Sequence, residues 1–124
     1  MQGGFPDERR ARTELVEVAR EIYQRKLAAA ADGNLSVRVA SNRIVTTPSG
    51  AHKGRLQPRD LVVVDLDGHV LGAGRPSSEL AMHLAAYRVR PDVRAVIHAH
   101  PPMAIAFNMA GGRLSEIFVS EVIF

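Results

Sequence analysis

Val96-Ile97-His98-Ala99-His100-Pro101 is an apolar run that ends in two histidines and a proline. It reads as the end of a buried strand covering residues 93–99. Successive side chains on a strand alternate faces, so His98 and His100 point the same way. Two imidazoles on one side are what a transition metal asks of a pair of ligands. Pro101 has no amide hydrogen for a ladder, so the strand stops there and leaves the pair at a rim. A single histidine beside an apolar run is ordinarily a packed core residue; a same-face pair at a strand end favours a metal. The pair alone does not specify catalysis.

The surrounding chain is a single domain of 124 residues, enough to bury a core, with 46% hydrophobic and 23% charged residues. No apolar run approaches membrane-spanning length and the polar N-terminus lacks a signal-peptide core, so the expected compartment is the cytoplasm. Cysteine is absent, so any metal is held by nitrogen and oxygen ligands. The formal charge of +3 owes much to Arg9, Arg10, Arg12, Arg20, Arg25 and Lys26. These alternate with Glu8, Glu14, Glu17 and Glu21, the pattern of a solvated helix face. With four Phe, two Tyr and no Trp to interleave, the basic residues do not read as a nucleic-acid surface. A mild positive balance suits an anionic small substrate.

Upstream of the histidines, residues 7–26 read as a first helix, with Leu15, Val18, Ala19 and Ile22 on one face. The alanine run at 27–31 frays it and Asp32-Gly33 ends it. Residues 35–39 and 43–47 alternate around the turn Ser41-Asn42, a hairpin, and Pro48-Ser49-Gly50 opens a loop. Residues 61–66 are apolar except for Asp65, which predicts a central strand. Asp67-Gly68 is a tight-turn dipeptide from which His69-Val70-Leu71 pairs back. Residues 77–88 form a second helix and 102–109 a third, followed by the turn Gly111-Gly112. The stretch 117–124 ends on Val122-Ile123-Phe124, within what reads as a buried strand. Native termini are usually polar, so the expectation is a chain incomplete at its C-terminal end.

Three turns carry donors for an anion. Pro76-Ser77-Ser78-Glu79 opens a helix, where either serine can cap and free first-turn N–H groups attract negative charge. Asp32-Gly33-Asn34 and Thr47-Pro48-Ser49-Gly50 present small hydroxyl and amide residues, and singly each is equally a plain turn. Glu79 also suits the helix dipole. His83, one helical turn beyond Glu79, shares the packing face of Leu80, Leu84 and Tyr87 and reads as an orienting histidine. His52 and His69 read as solvated; Lys53 and Arg55 could help attract a phosphate, but an exposed basic loop is the favoured reading.

Together Gly33-Asn34-Leu35-Ser36-Val37-Arg38, Thr47-Pro48-Ser49-Gly50, Pro76-Ser77-Ser78-Glu79 and His98-Ala99-His100 resemble the class II aldolase/adducin N-terminal family, and most closely its fuculose-phosphate members. The motifs occur in the family's order and cover nearly the whole chain. The resemblance implies an α/β fold, a three-layer α/β/α sandwich around a mostly antiparallel sheet, usually in a homotetramer with sites between subunits. It implies that His98 and His100 are two of three zinc ligands. Glu79 is then the acid/base carboxylate, able also to bind the metal. Gly33, Asn34, Ser49, Gly50, Ser77 and Ser78 form the substrate-phosphate cradle. The implied reaction is zinc-dependent cleavage of a ketose 1-phosphate of the fuculose type into dihydroxyacetone phosphate and an aldehyde. The metal would stabilise the enediolate and Glu79 would shuttle the proton.

The chain departs from the family pattern in three places. No histidine follows His100 to serve as third zinc ligand, no tyrosine follows Tyr87 to donate a proton near the subunit boundary, and Ala31 stands where a hydroxyl often assists the phosphate. The same scaffold serves epimerases, dehydratases and decarboxylases. Glu79 in place of an epimerase aspartate and Asn34 in place of a decarboxylase histidine lean toward the aldolase. A non-catalytic adducin-like interaction module is the remaining alternative. Retention of Glu79, His98 and His100 speaks against it, and the missing third histidine speaks for it. On the cleavage reading, the 124 residues alone are expected to bind zinc weakly and be inactive, and an extended chain to be active.

Overall fold

A computed structural model describes residues 4–29 and 31–113. Helix α1 covers Glu8–Gln24, followed by strands β1 (Asn34–Ala40) and β2 (Arg43–Thr46), a 3-10 turn (Pro58–Asp60) and β3 (Val62–Val64). Helix α2 (Leu80–Val89), β4 (Ala95–His98) and α3 (Pro102–Met109) complete the order. Asp7 caps α1 by accepting the Arg10 amide hydrogen, 3.0 Å away, satisfying one of the otherwise unpaired N–H groups of a first turn. The strands form one four-stranded sheet in the order β3-β2-β1-β4, antiparallel throughout.

Alternation along the strands creates two cores. Leu35, Val39, Val45 and Val63 face Ala11, Leu15, Val16, Ala19 and Ile22 of α1. Ile44, Val62 and Val64 face the other way, against Leu80, Leu84 and Tyr87 of α2. One helix on each face of an antiparallel sheet is the expected three-layer α/β/α arrangement. Most of the early charge faces solvent, and a few of these residues tie α1 to the rest of the chain. Glu8 bridges Arg12 and Arg43, while Arg20 donates to the Leu56 carbonyl. The bond from Arg43, first among several causes, holds the Glu8 carboxyl below its ordinary range.

Residues 61–66 do not form a central strand. Only Val62–Val64 are extended, and they lie at one edge of the described sheet. Their continuous apolar pattern reflects two covered faces, which a central strand shares with an edge strand that has a helix on either side. The outer edge is closed by the return segment, with the Leu71 amide on the Val63 carbonyl and the Asp65 amide on the His69 carbonyl. Asp65 interrupts the run because its carboxylate accepts the amide hydrogens of Asp67 and His69, a side-chain turn that ends the ladder.

The histidine strand differs too. It is shorter than expected and forms the opposite edge, with Ala95 and Ile97 exposed and Val96 and His98 half-buried. It is therefore not a buried strand among the described residues; one face alone is covered. Helix α3 matches its expected span. The apolar stretch 117–124 lies outside the described residues.

Candidate active site

The pairing of β1 with β4 sets Asn34 opposite His98, so both side chains lie on the face that carries α2. Gly33 precedes them with φ +73°, and a Cβ there would overlap the His98 carbonyl oxygen. Glycine alone meets both demands, a left-handed backbone and a neighbour's main chain at contact. His100 lies beyond β4, yet its amide hydrogen reaches the Leu27 carbonyl at 2.7 Å and fixes the segment. The two imidazoles stand with ring centroids 4.7 Å apart at 44°. The two rings are therefore neighbours, with His100 held by a loop bond and not by the strand.

A hydrogen-bonded chain runs from the second core to these rings. Ser36 Oγ lies 2.8 Å from the Tyr87 hydroxyl and 2.7 Å from His83 Nδ1. His83 Nε2 bonds Asn34 Oδ1, and Asn34 Nδ2 bonds Glu79 Oε2. The same carboxylate oxygen lies 2.8 Å from His98 Nδ1. The amide of Asn34 sets the direction, because its oxygen can only accept and its nitrogen can only donate. Neutral His83 therefore donates from Nε2 and accepts at Nδ1 from Ser36, which in turn accepts from Tyr87. This confirms His83 as a buried orienting residue.

Burial pushes His83 down to about 4, with the nearby His98 acting in the same direction. It pushes Tyr87 up to about 12. The Asn34 amide, helped by His98, holds the Glu79 carboxyl below its usual range against a smaller opposing effect of burial. The folded state thus resists protonation of His83, while the unfolded chain takes up that proton near the ordinary value of about 6.5. Stability from this residue is complete above about pH 6.5. It declines as the pH falls toward about 4, by up to about 3 kcal/mol. Denaturant titrations at several pH values should show that decline, and His83→Gln should flatten it. An equally steep profile in the variant would assign the dependence to other groups.

The three donor-bearing turns, far apart in sequence, converge. A cavity of about 200 Å³ is lined by Gly33, Asn34, Ser49, Gly50, Ser77, Ser78, Glu79 and His100, together with Asp32 and Lys53. Two of the turns are joined directly. The Ser49 amide donates to the Arg75 carbonyl and the Ser77 amide to the Thr47 carbonyl, around a bridge between Pro48 and Pro76. These bonds correct the sequence reading of Ser77-Ser78 as the helix cap. Helix α2 begins at Leu80 with Glu79 at its N-cap position. The Glu79 amide is taken by Ser77 Oγ and the Leu80 amide by the Ser77 carbonyl. The serines lie in a turn ahead of the helix, and several first-turn donors are already satisfied internally.

Two further expectations change. Lys53 is not exposed; its side chain is buried and its ammonium bonds two backbone carbonyls. A lysine between His52 and Gly54 in a loop gives no local sign of this. His52 is half-buried against Tyr23, ring centroids 4.7 Å apart. Ser36 and Tyr87 were overlooked as supporting residues, though their spacing carries the signal: Ser36 is two residues along the strand from Asn34, and Tyr87 one helical turn from His83.

Among the described residues, Asp65, Asp67 and His69 also form a tight cluster of possible metal ligands. Both oxygens of Asp65 already serve the turn that contains them. The histidine pair at the cavity offers a second set of possible donors, joined to Glu79 through His98. His100 Nε2 is buried without a hydrogen-bond partner, an uncommon state for an imidazole nitrogen. With His98 and Glu79 beside it, the set of two imidazoles and a carboxylate is one that zinc accepts.

Residues 13–123 match the family described as Class II Aldolase and Adducin N-terminal domain. The chain belongs to this family. Within it, the chain is 41% identical over 94 residues to a 3-oxo-tetronate 4-phosphate decarboxylase of Haemophilus influenzae, covering 76% of this chain and 45% of that protein. It is 44% identical over 89 residues to a methylthioribulose-1-phosphate dehydratase of Methylococcus capsulatus, covering 72% and 44%. A solved L-fuculose 1-phosphate aldolase superposes with a TM-score of 0.76 at 32% identity, covering 87% of this class II aldolase-family chain and 51% of its own. The chain thus spans about half the length of these relatives. No helix among the described residues is long and apolar enough to cross a membrane.

Proposed function

We propose that the chain carries the phosphate cradle and the acid–base group of a metal-dependent lyase acting on a phosphorylated sugar. The observation that carries this is the gathering of Gly33, Asn34, Ser49, Gly50, Ser77, Ser78, Glu79 and His100 around one cavity. The cradle turns hold the phosphate through hydroxyl and backbone donors and so fix the distance from that end of the sugar to Glu79. Glu79, ionised over a wide pH range, takes a proton from a substrate hydroxyl and returns it at carbon or oxygen. Asn34 and His83 keep its carboxylate in one orientation. His98, His100 and Glu79 would hold a zinc or similar divalent ion, which supplies Lewis-acid stabilisation of negative charge on substrate oxygen when bound.

The specific reaction we infer is aldol cleavage of a ketose 1-phosphate to dihydroxyacetone phosphate and an aldehyde. Proton removal from the hydroxyl beyond the scissile bond lets that oxygen form the aldehyde carbonyl, and the electrons of the broken C–C bond pass to the neighbouring ketone. Support comes from the likeness to L-fuculose 1-phosphate aldolase. A second reading, decarboxylation of a phosphorylated 3-oxo acid, is favoured by the higher identity to the decarboxylase relative. There the leaving group is carbon dioxide and the electrons follow the same path. A homotetramer with sites between subunits belongs to the proposal through the family resemblance, and a cytoplasmic location through the reading of the sequence.

Supplying the zinc-loaded protein with a ketose 1-phosphate or a phosphorylated 3-oxo acid, and assaying the released aldehyde against carbon dioxide, separates the two readings, since dihydroxyacetone phosphate can arise from either. Neither product, from this chain or from one extended past Phe124, would overturn both. The cradle has its own test in the double replacement of Ser77 and Ser78 by alanine. It should raise KM for a phosphorylated substrate roughly tenfold or more, since charge-assisted hydrogen bonds are lost. KM for the unphosphorylated sugar should change little. Equal effects on both would place the serines outside the phosphate site.

A further inference from the structure

Lys53 is 2% exposed. Its ammonium lies 3.2 Å from the carbonyl oxygens of both Ala31 and Ala51. An ammonium has three donors, so one remains after these two bonds. Among the described residues no carboxylate lies within ion-pair distance of it. A buried charge with no counter-ion is costly. Burial accordingly pulls the Lys53 ammonium below the ordinary lysine range, opposed by the fields of Asp32 and Glu79.

The position of this cation matters more than its cost. Ala31 leads into Asp32-Gly33-Asn34, and Ala51 follows Ser49-Gly50. The two bonds therefore tie together two turns that line the same cavity, and Lys53 lines it with them. The lining also carries the carboxylates of Asp32 and Glu79, and Lys53 is its single lysine or arginine. Neutralising that residue would leave a phosphate dianion facing two negative groups in a confined space, where like charges repel strongly.

Resting on the reading of this cavity as a phosphate cradle, we propose that Lys53 is the buried cation that neutralises the substrate's phosphate through its third N–H. Its two carbonyl bonds meanwhile hold the cradle turns in register. Among the described residues the lysine has no ion-pair partner, and the substrate's phosphate would supply the counter-ion.

The test uses inorganic phosphate as probe and nuclear magnetic resonance as readout on the native chain. Phosphate should shift the backbone amides of Gly33, Gly50 and Ser78 and the Cε resonance of Lys53 together, along one saturating curve, while acetate at the same ionic strength should not. Lys53→Met should weaken phosphate binding roughly tenfold or more, with the amide spectrum confirming the fold, and Lys53→Arg should recover part of the loss. Amide shifts without any change at Lys53, or a folded Lys53→Met chain that binds as tightly as the native one, would overturn the inference and leave the cradle standing. No phosphate-dependent shift at any of these residues would overturn the cradle and the inference with it. If Lys53→Met does not fold, the resonance of Lys53 in the native chain decides.

Discussion

Replacing Glu79 by glutamine is expected to lower turnover of the substrate by roughly 10²–10⁴, the usual contribution of a positioned general acid–base group. The chain should remain folded, because the Glu79 side chain is 45% exposed and packs into neither core. Glutamine keeps the shape and an oxygen that can accept from Asn34 and His98, but it cannot carry the proton. KM should therefore change much less than kcat, which steady-state kinetics on the zinc-loaded protein would show. A zinc titration of the same variant separates the carboxylate's two possible roles. Unchanged zinc affinity with lost turnover assigns it proton transfer. Parallel loss of both assigns it to holding the ion. A kcat within a few-fold of the native value would show that another group moves the proton.

The second large effect is on stability. Tyr87 is 1% exposed and fills the core between α2 and the sheet. Its hydroxyl ends the chain of bonds that runs through Ser36, His83 and Asn34 to Glu79. Tyr87→Ala removes a buried ring and should cost ~3–5 kcal/mol in denaturant unfolding. Tyr87→Phe keeps the ring and removes only the donor to Ser36, so ~1–2 kcal/mol is expected. Phenylalanine should also loosen the orientation of Glu79, seen as a modest fall in kcat with KM little altered. If Tyr87→Phe were as unstable as Tyr87→Ala, the hydroxyl and not the ring would dominate. If it cost nothing, the buried chain would not depend on its first donor.

Both expectations rest on features of unequal legibility. The hairpin of β1 and β2 and the face of α1 follow from local periodicity, since alternate or helical spacing of apolar residues reports which side is covered. The His98/His100 spacing likewise places two imidazoles close together, and their ring centroids lie 4.7 Å apart. Periodicity reports covered faces but says nothing about neighbours within a sheet. That is why residues 61–66 suggested a central strand, while β3 lies at an edge. Ser77 and Ser78 were misread as caps for a related reason. A Ser-Ser-Glu signature is compatible with several N-terminal turns, and the choice is made by backbone bonds that join Arg75 and Ser77 to Ser49 and Thr47 in a distant loop.

The site divides along the same line. The order of the motifs, the lack of cysteine ligands and the presence of Glu79, His83 and two clustered histidines are properties of the sequence alone, because residue chemistry and short spacing do not depend on the rest of the fold. That three separate turns form one cavity was decided by the antiparallel crossing of the strands. So was the joining of Asn34 to both Glu79 and His83, across sequence separations of 45 and 49 residues. Lys53 is the clearest case. Nothing local distinguishes it from a solvated loop lysine, and its burial between the carbonyls of Ala31 and Ala51 exists only when chain segments 22 residues apart meet. Electrostatic environment depends on everything that surrounds a charge, so it is set when the chain closes around it.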